Sequence, residues 1–138
     1  MSGRFRIHLR SSLASAAVPY GYTLTIFASG AISGDLLGPP HAPQALVFVA
    51  GAVVAFTVLE AVAYGSWLVA PPMTPLHSSA VGGHAHLLSA GLAIASVWLT
   101  DSLLGGSGAA WALAGFLATG LYLVLEAAQA IAVERPGA

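Results

Sequence analysis

The 138-residue sequence contains no cysteine and no lysine. Without cysteine, the chain has no disulfide, no thiolate metal ligand and no cysteine nucleophile. A formal net charge of −1 provides no basic surface for a phosphate backbone, so nucleic acid is not a predicted partner. The only four strong cations stand near the two ends of the chain, at Arg4, Arg6, Arg10 and Arg135.

The scarcity of charge also argues against a water-soluble domain. Only 7% of the residues are charged, whereas soluble domains carry about 25%. Hydrophobic residues make up 57% of the chain, and the mean hydropathy is +0.85. Long stretches carry no charge and lack the polar face of a surface helix. The expected surrounding is the lipid bilayer, and the predicted fold is an all-α membrane protein.

Four apolar segments meet the requirement of roughly 20 residues for a helix that crosses a bilayer. Proline-rich and glycine-rich turns separate them into two tandem helical hairpins, because proline interrupts helix interiors. A link of about residues 65–83 joins the hairpins. The four predicted transmembrane helices run from about Pro19 to Leu37, Gln44 to Tyr64, His84 to Leu104 and Ala109 to Ile131.

The arginines predict the orientation of the chain. An even number of spans places both termini on one side, and the positive-inside rule makes that side cytoplasmic. We expect a multi-pass protein of the cell (inner) membrane, with a basic interfacial arm (1–18) and one transmembrane domain (19–138). A cleaved signal peptide over residues 1–31 is the alternative, but Pro19 and the two tyrosines after it interrupt its apolar core.

The acidic residues indicate an internal duplication. Asp35 and Glu60 are as far apart as Asp101 and Glu126, and the tetrapeptide VLEA surrounds both glutamates in the same register. We interpret the chain as a parallel pseudo-repeat, with repeat 1 at about 19–64 and repeat 2 at about 84–131. Such a repeat favours a homo-oligomer.

Glu60 and Glu126 are the candidate proton-binding or cation-binding residues. Each lies inside a predicted span, where an unpaired charge costs about 2.5–3.5 kcal/mol at the helix centre. Each is therefore expected to face a cavity or the bundle interior, or to be protonated. Helical spacing places further polar side chains on the same two faces: Thr119, Tyr122 and Gln129 beside Glu126, and Thr57 and Tyr64 beside Glu60.

Hydroxyl side chains form comparable stripes on the first and third helices. The stripes could line a path for protons or hard cations. Alternatively, they could join the helices by hydrogen bonds worth about 0.6–2 kcal/mol each. Small residues at Gly30-x-x-x-Gly34 and from Gly51 to Ala55 predict close helix packing, within the chain or between copies. The hydroxyl stripes comprise Tyr22, Thr25, Ser29 and Ser33 on the first helix, and Ser89, Ser96 and Thr100 on the third.

Asp35 and Asp101 stand at the outer ends of the first and third helices. Solvated turn carboxylates are the ordinary explanation, and an outer vestibule that concentrates cations is the alternative. His77, His84 and His86 are candidate metal ligands on the cytoplasmic side. Their spacing matches no metal signature, and in a helix His84 and His86 point to opposite faces. We therefore expect no cofactor.

The sequence shows neither a nucleophile with an adjacent base nor a phosphate-binding glycine loop, so an enzyme is not predicted. One hypothesis is a small oligomeric channel or carrier for protons or cations, with Glu60 and Glu126 as its titratable site. The other is a non-catalytic accessory or assembly subunit of a larger membrane complex. The two differ in whether the polar stripes converge inside one chain or face outward.

Overall fold

The computed structural model describes residues 5–9, 12, 20–65 and 83–133. Each predicted span coincides with an observed helix to within two residues at either end. His77 and most of the expected link lie outside the described residues, as does most of the expected arm. The four long helices are α1 (Tyr20–Leu37), α2 (Ala42–Tyr64), α3 (Gly83–Leu104) and α4 (Gly108–Val133).

Glycine ends two of these helices. Gly65 has a φ of 74° and caps α2 by donating its N–H to the carbonyl of Ala61. Gly105 has a φ of 60° after α3, and its N–H reaches the carbonyl of Asp101 at 3.1 Å. Side chains disfavour this left-handed conformation, which explains why the helices stop at these positions.

Three of the described helices are long and apolar enough to cross a membrane: Ala42–Tyr64, Leu87–Leu104 and Gly108–Ala132, with mean hydropathies of 2.4, 1.6 and 1.7. These features indicate a multi-pass membrane protein. The 18-residue α1 falls short of the same apolarity, because it carries Asp35 and a series of hydroxyl side chains. The structure thus supports three of the four predicted spans by length and composition.

The helix α4 is the centre of the fold, since it packs against each of the other three. It runs parallel to α2, because Phe48 and Trp111 pack together near the helix starts and Ala63 and Ala127 pack together near the ends. We call the end where α2 and α4 finish the inner end, and the opposite end the outer end. The inner end corresponds to the expected cytoplasmic side.

The two predicted hairpins pack differently. Helices α3 and α4 lie against each other along an extensive surface, whereas α1 and α2 barely approach although residues 38–41 connect them. A contact between the rings of Tyr22 and Phe56, 5.7 Å apart, bridges them near the inner end. The packing therefore does not display two equivalent halves.

Helices α2 and α4 cross closely at two glycines. A Cβ atom on Gly51 would overlap the carbonyl oxygen of Ala112, and one on Gly115 would overlap the carbonyl oxygen of Phe48. This approach permits Cα–H···O contacts that a methyl group would block. Close packing at Gly51 is confirmed, with its partner inside the chain. A Cβ on Gly30 would meet nothing within 4 Å.

The described part of the N-terminal arm packs on the inner end of the bundle. Residues 5–9 are helical, and Leu9 is fully buried in the cluster that contains Ala63 and Ala127. His8 is also buried, while Arg6 and its neighbour Ile7 are exposed. The segment therefore has one face on α2 and α4 and one face free for the membrane interface.

Candidate functional site

Three hydrogen-bonded pairs join α1, α3 and α4 through a largely apolar interior. We call these six residues the polar seam. Each pair joins a different two of the three helices. The pairs are Ser33 Oγ donating to Asp101 Oδ2 at 2.6 Å, Tyr22 Oη with Thr119 Oγ1 at 3.0 Å, and Gln129 Nε2 donating to Ser89 Oγ at 2.7 Å.

Helical periodicity explains how α1 contributes to the seam. Thr25, Ser29 and Ser33 recur every fourth residue and therefore share one face, which is fully buried. Thr25 donates its hydroxyl proton to the carbonyl of Gly21 at 2.8 Å. The opposite face exposes Phe27, which is 74% accessible. The polar side of α1 thus faces the bundle and its apolar side faces out, the reverse of a helix in a soluble protein.

Asp101 lies in the protein interior at the outer end of the seam. Its side chain is only 2% exposed. Ser33 donates to one carboxylate oxygen, and the other oxygen, Oδ1, is buried without a hydrogen-bond partner among the described residues. The Oγ atom of Ser29, one turn inward of Ser33, is buried without a partner in the same way. The site thus combines an acidic group with unused hydrogen-bonding capacity.

This position differs from the solvated turn or outer vestibule expected for Asp101. The repeat-related Asp35 is exposed, as a solvated carboxylate would be. The difference arises because Asp101 lies twelve residues after Ser89, on the face of α3 that packs against α1 and α4. Asp35 is two residues beyond Ser33 and therefore points away from that interface.

The predicted polar face of α4 lies beside the inner part of the seam. Tyr122 is 2% exposed, and its ring centroid lies 5.8 Å from that of Tyr22. Glu126 follows one turn further inward and is half-buried, with its Oε1 atom shielded from solvent. Gln129 completes the face through its bond to Ser89. The structure thus brings Thr119, Tyr122, Glu126 and Gln129 to the side of α4 that carries the seam.

The predicted polar face of α2 does not join the seam. Thr57 donates its hydroxyl proton to the carbonyl of Val53, one turn back on the same helix, at 2.9 Å. Glu60 is exposed, and Tyr64 packs beside the cluster around Leu9. Glu60 and Glu126 thus have different surroundings, although they are related by the sequence repeat. Of the four polar stripes, those of α1, α3 and α4 supply the seam and that of α2 does not.

No described residues form a group of three or more histidine, aspartate or glutamate side chains that could hold a metal ion. His84 and His86 lie in the first turn of α3, where the structure describes the backbone and not their side chains. His77 is outside the described residues. The candidate metal ligands therefore stay predictions.

No protein family model, curated protein sequence or solved structure matches this chain. Its chemistry is therefore inferred from the seam itself. Hydroxyl groups donate and accept hydrogen bonds, and a carboxyl group can gain or lose a proton. A row of such groups inside an apolar bundle suits the binding of protons or hard cations.

Sequence reasoning did not identify the pairing of Ser33 with Asp101. The sequence predicts the hydroxyl stripe of α1, but the place of the outer aspartates near helix ends favours solvated turns or an outer vestibule over a buried pair. A signal for the burial of Asp101 is present, since Ser89, Ala93, Val97 and Asp101 recur every fourth residue on one face of α3. All four side chains are buried.

Proposed function

We propose that this chain is a four-span membrane protein that carries protons or cations across the bilayer along the polar seam. The observation that supports this most is the buried carboxyl group of Asp101, hydrogen-bonded to Ser33 in an interior with few polar groups. Ionisable residues inside membrane helices are costly, and they commonly mark ion or proton pathways. Both termini lie in the cytoplasm in this proposal.

Helix α1 serves as the fourth span despite its lower hydropathy. Its 18 residues correspond to about 27 Å of helix, close to the roughly 30 Å of a hydrocarbon core. Its hydroxyl groups face α3 and α4, and the side chains that it exposes include Leu24 and Phe27. Lipid would therefore contact a mostly apolar surface, so burial of the hydroxyls compensates for their low hydropathy.

The length of the seam supports a path across more than half of the hydrocarbon core. Its two end pairs, Ser33 with Asp101 and Ser89 with Gln129, are joined along α3. From Asp101 to Ser89, α3 covers about 18 Å at 1.5 Å per residue. The hydrocarbon core is about 30 Å thick. The seam thus extends from Asp101 near the outer end to the surroundings of Glu126 near the inner end.

Within this path, Asp101 is the outer ionisable group and Glu126 the inner one. Glu60 is assigned no transport role, because it is exposed on a helix whose polar face is not part of the seam. Of the two glutamates that the repeat predicts as the titratable site, only Glu126 keeps that role in this proposal. The proposed path lies within one copy of the chain, whether or not copies associate in the membrane.

Flux measurements test this proposal. Purified protein is reconstituted into liposomes, and proton and cation flux are compared for wild type, Glu126→Gln, Glu60→Gln and the double variant, at matched insertion. We expect wild-type flux that is lost in Glu126→Gln, kept in Glu60→Gln and lost in the double variant. Absence of flux from wild type would contradict transport by this protein, and loss in Glu60→Gln alone would place the path on α2.

The exposure of Glu60 favours a second function, that of an accessory or assembly subunit. Glu60 lies four residues before the end of α2, about 6 Å from its inner end, on a face that also exposes Val53. A carboxylate at a lipid-facing position is costly unless it is protonated, paired or able to reach the interface. A polar group on another protein would supply such a pairing.

Photo-crosslinking in native membranes tests the second function. A photoreactive residue is placed at position 60 and, as a matched control, at position 53, two turns away on the same face. An accessory subunit would give a discrete protein adduct from position 60 that is absent from position 53. Adducts with lipid alone, or the same adducts from both positions, would argue against it.

A further inference from the structure

The outer end of the seam holds an acidic group that has no counter-charge among the described residues. Asp101 is 2% exposed, and its Oδ1 atom has no hydrogen-bond partner in the part of the chain that the structure describes. A carboxylate has lone pairs on both oxygens that need donors, and Ser33 supplies a donor to only one oxygen. An ionised Asp101 would therefore be buried and incompletely satisfied.

The surrounding helices do not compensate for a negative charge. Asp101 is on α3, and the residues of α4 at the same end, from Gly108 to Ala118, include no ionisable side chain. The other described titratable groups near this end are Asp35 on α1 and His41 before α2, both exposed. Arg6, the only described arginine, belongs to the segment at the inner end. A buried anion without a cationic partner is strongly disfavoured.

A bound proton balances this charge better than a bound metal cation. Hard cations such as calcium and magnesium take six or more oxygen ligands. The described polar side chains here are the carboxyl group of Asp101 and the hydroxyls of Ser33 and Ser29, beside apolar neighbours such as Val97. A proton needs only one oxygen, and Oδ1 is the oxygen to which no described group donates a hydrogen bond.

We propose that Asp101 is a proton-binding site, with its side chain held as a neutral carboxylic acid in this closed bundle and the proton on Oδ1. Ser33 continues to donate to Oδ2, and Ser29 offers the next buried oxygen, one turn inward. When the proton leaves, a water molecule accepts it, the electron pair of the O–H bond stays on Oδ1, and the Ser33 bond stabilises the resulting carboxylate. The identification of the proton as the ion that moves rests on the proposed transport function.

The sequence permits a direct measurement, because Asp35 and Asp101 are its only aspartates. In protein labelled with ¹³C at the aspartate carboxyl carbon, Asp35→Asn leaves Asp101 as the single labelled site. Its carboxyl ¹³C shift and infrared C=O band are recorded in liposomes across a pH series, with sodium and with a bulky organic cation. The Asp101→Asn protein reports the exposed Asp35 as the control.

We expect Asp101 to be predominantly protonated at neutral pH, with and without sodium. An ionised Asp101 at neutral pH in both media would overturn the proposal. Protonation that disappears when sodium is added would also overturn it, because the site would then bind the cation. A protonated Asp101 in a protein without flux would keep the proton site and reject transport.

Discussion

The crossing of α2 and α4 allows a sharp prediction, because two glycines permit it. Replacing Gly51 by alanine places a methyl group against the backbone of α4, overlapping the carbonyl oxygen of Ala112. The same methyl carbon would lie 2.9 Å from the Ala112 carbonyl carbon and 3.1 Å from the Phe116 nitrogen, where ordinary contact begins at 3.4 Å. Backbone atoms cannot rotate away as a side chain does, so the two helices must separate.

The expected cost follows from this separation. A gap of about 0.5–1 Å forfeits a quarter to a half of the dispersion energy at each contact. Helices α2 and α4 form the most extensive interface in the bundle, so the loss affects many atoms. We expect Gly51→Ala to lower the free energy of unfolding by about 1–3 kcal/mol, the usual range for overpacking. Gly115→Ala should cost a similar amount, because its methyl group would overlap the Phe48 carbonyl oxygen.

Thermal unfolding of the purified protein in detergent micelles provides the assay, with Gly91→Ala as the matched control. Gly91 is also inside a helix and exposed, and a Cβ there would meet nothing within 4 Å. Its replacement should be neutral or stabilise by up to about 1 kcal/mol through helix propensity. The double variant Gly51→Ala/Gly115→Ala should cost less than the sum of the single variants, since one separation accommodates both methyl groups. Equal stability of Gly51→Ala and Gly91→Ala would refute the close crossing.

Further predictions concern the seam, the arm and the topology. Ser33→Ala leaves the buried carboxyl group of Asp101 without its donor and should lower the unfolding free energy by about 1–3 kcal/mol. Ser102→Ala, on an exposed side chain bonded to its own helix, should change the unfolding free energy little. Equal effects of the two substitutions in thermal unfolding would contradict the pairing of Ser33 with Asp101. Leu9→Ala should lower the unfolding free energy by about 2 kcal/mol or more and expose the arm to protease. Ile7→Ala, on a half-exposed side chain, should have neither effect. Similar digestion of both variants would argue against a packed arm. A C-terminal fusion to green fluorescent protein should fluoresce, and a C-terminal fusion to alkaline phosphatase should be inactive. The opposite pattern would contradict a cytoplasmic C-terminus.

The helices could be predicted from the sequence because they depend on local chemistry. Apolar runs of membrane-spanning length favour helices, and proline and glycine mark where they end. Gly65 and Gly105 have the positive φ angles that stop α2 and α3. These effects act within a few residues, so the sequence pattern is sufficient for them.

The packing could not be predicted in the same way, because it depends on residues far apart in the chain. Gly30 and Gly51 both stand in small-residue patterns, yet Gly51 meets the backbone of α4 and Gly30 meets nothing. The acidic repeat predicts similar roles for Asp35 and Asp101, but only Asp101 faces a neighbouring helix. Which face of each helix turns inward is decided by the whole bundle, and α1 packs on α3 and α4 rather than on α2.

The strongest test of transport along the polar seam is a flux measurement on two variants. The proton or cation flux of Asp101→Asn is compared with that of Asp35→Asn in the same liposomes. Both substitutions remove one acidic group near the outer end, and asparagine retains the shape of the side chain. Because only Asp101 belongs to the polar seam, we predict that Asp101→Asn loses the flux while Asp35→Asn keeps the wild-type rate. Wild-type flux through Asp101→Asn, at equal insertion and folding, would contradict the account.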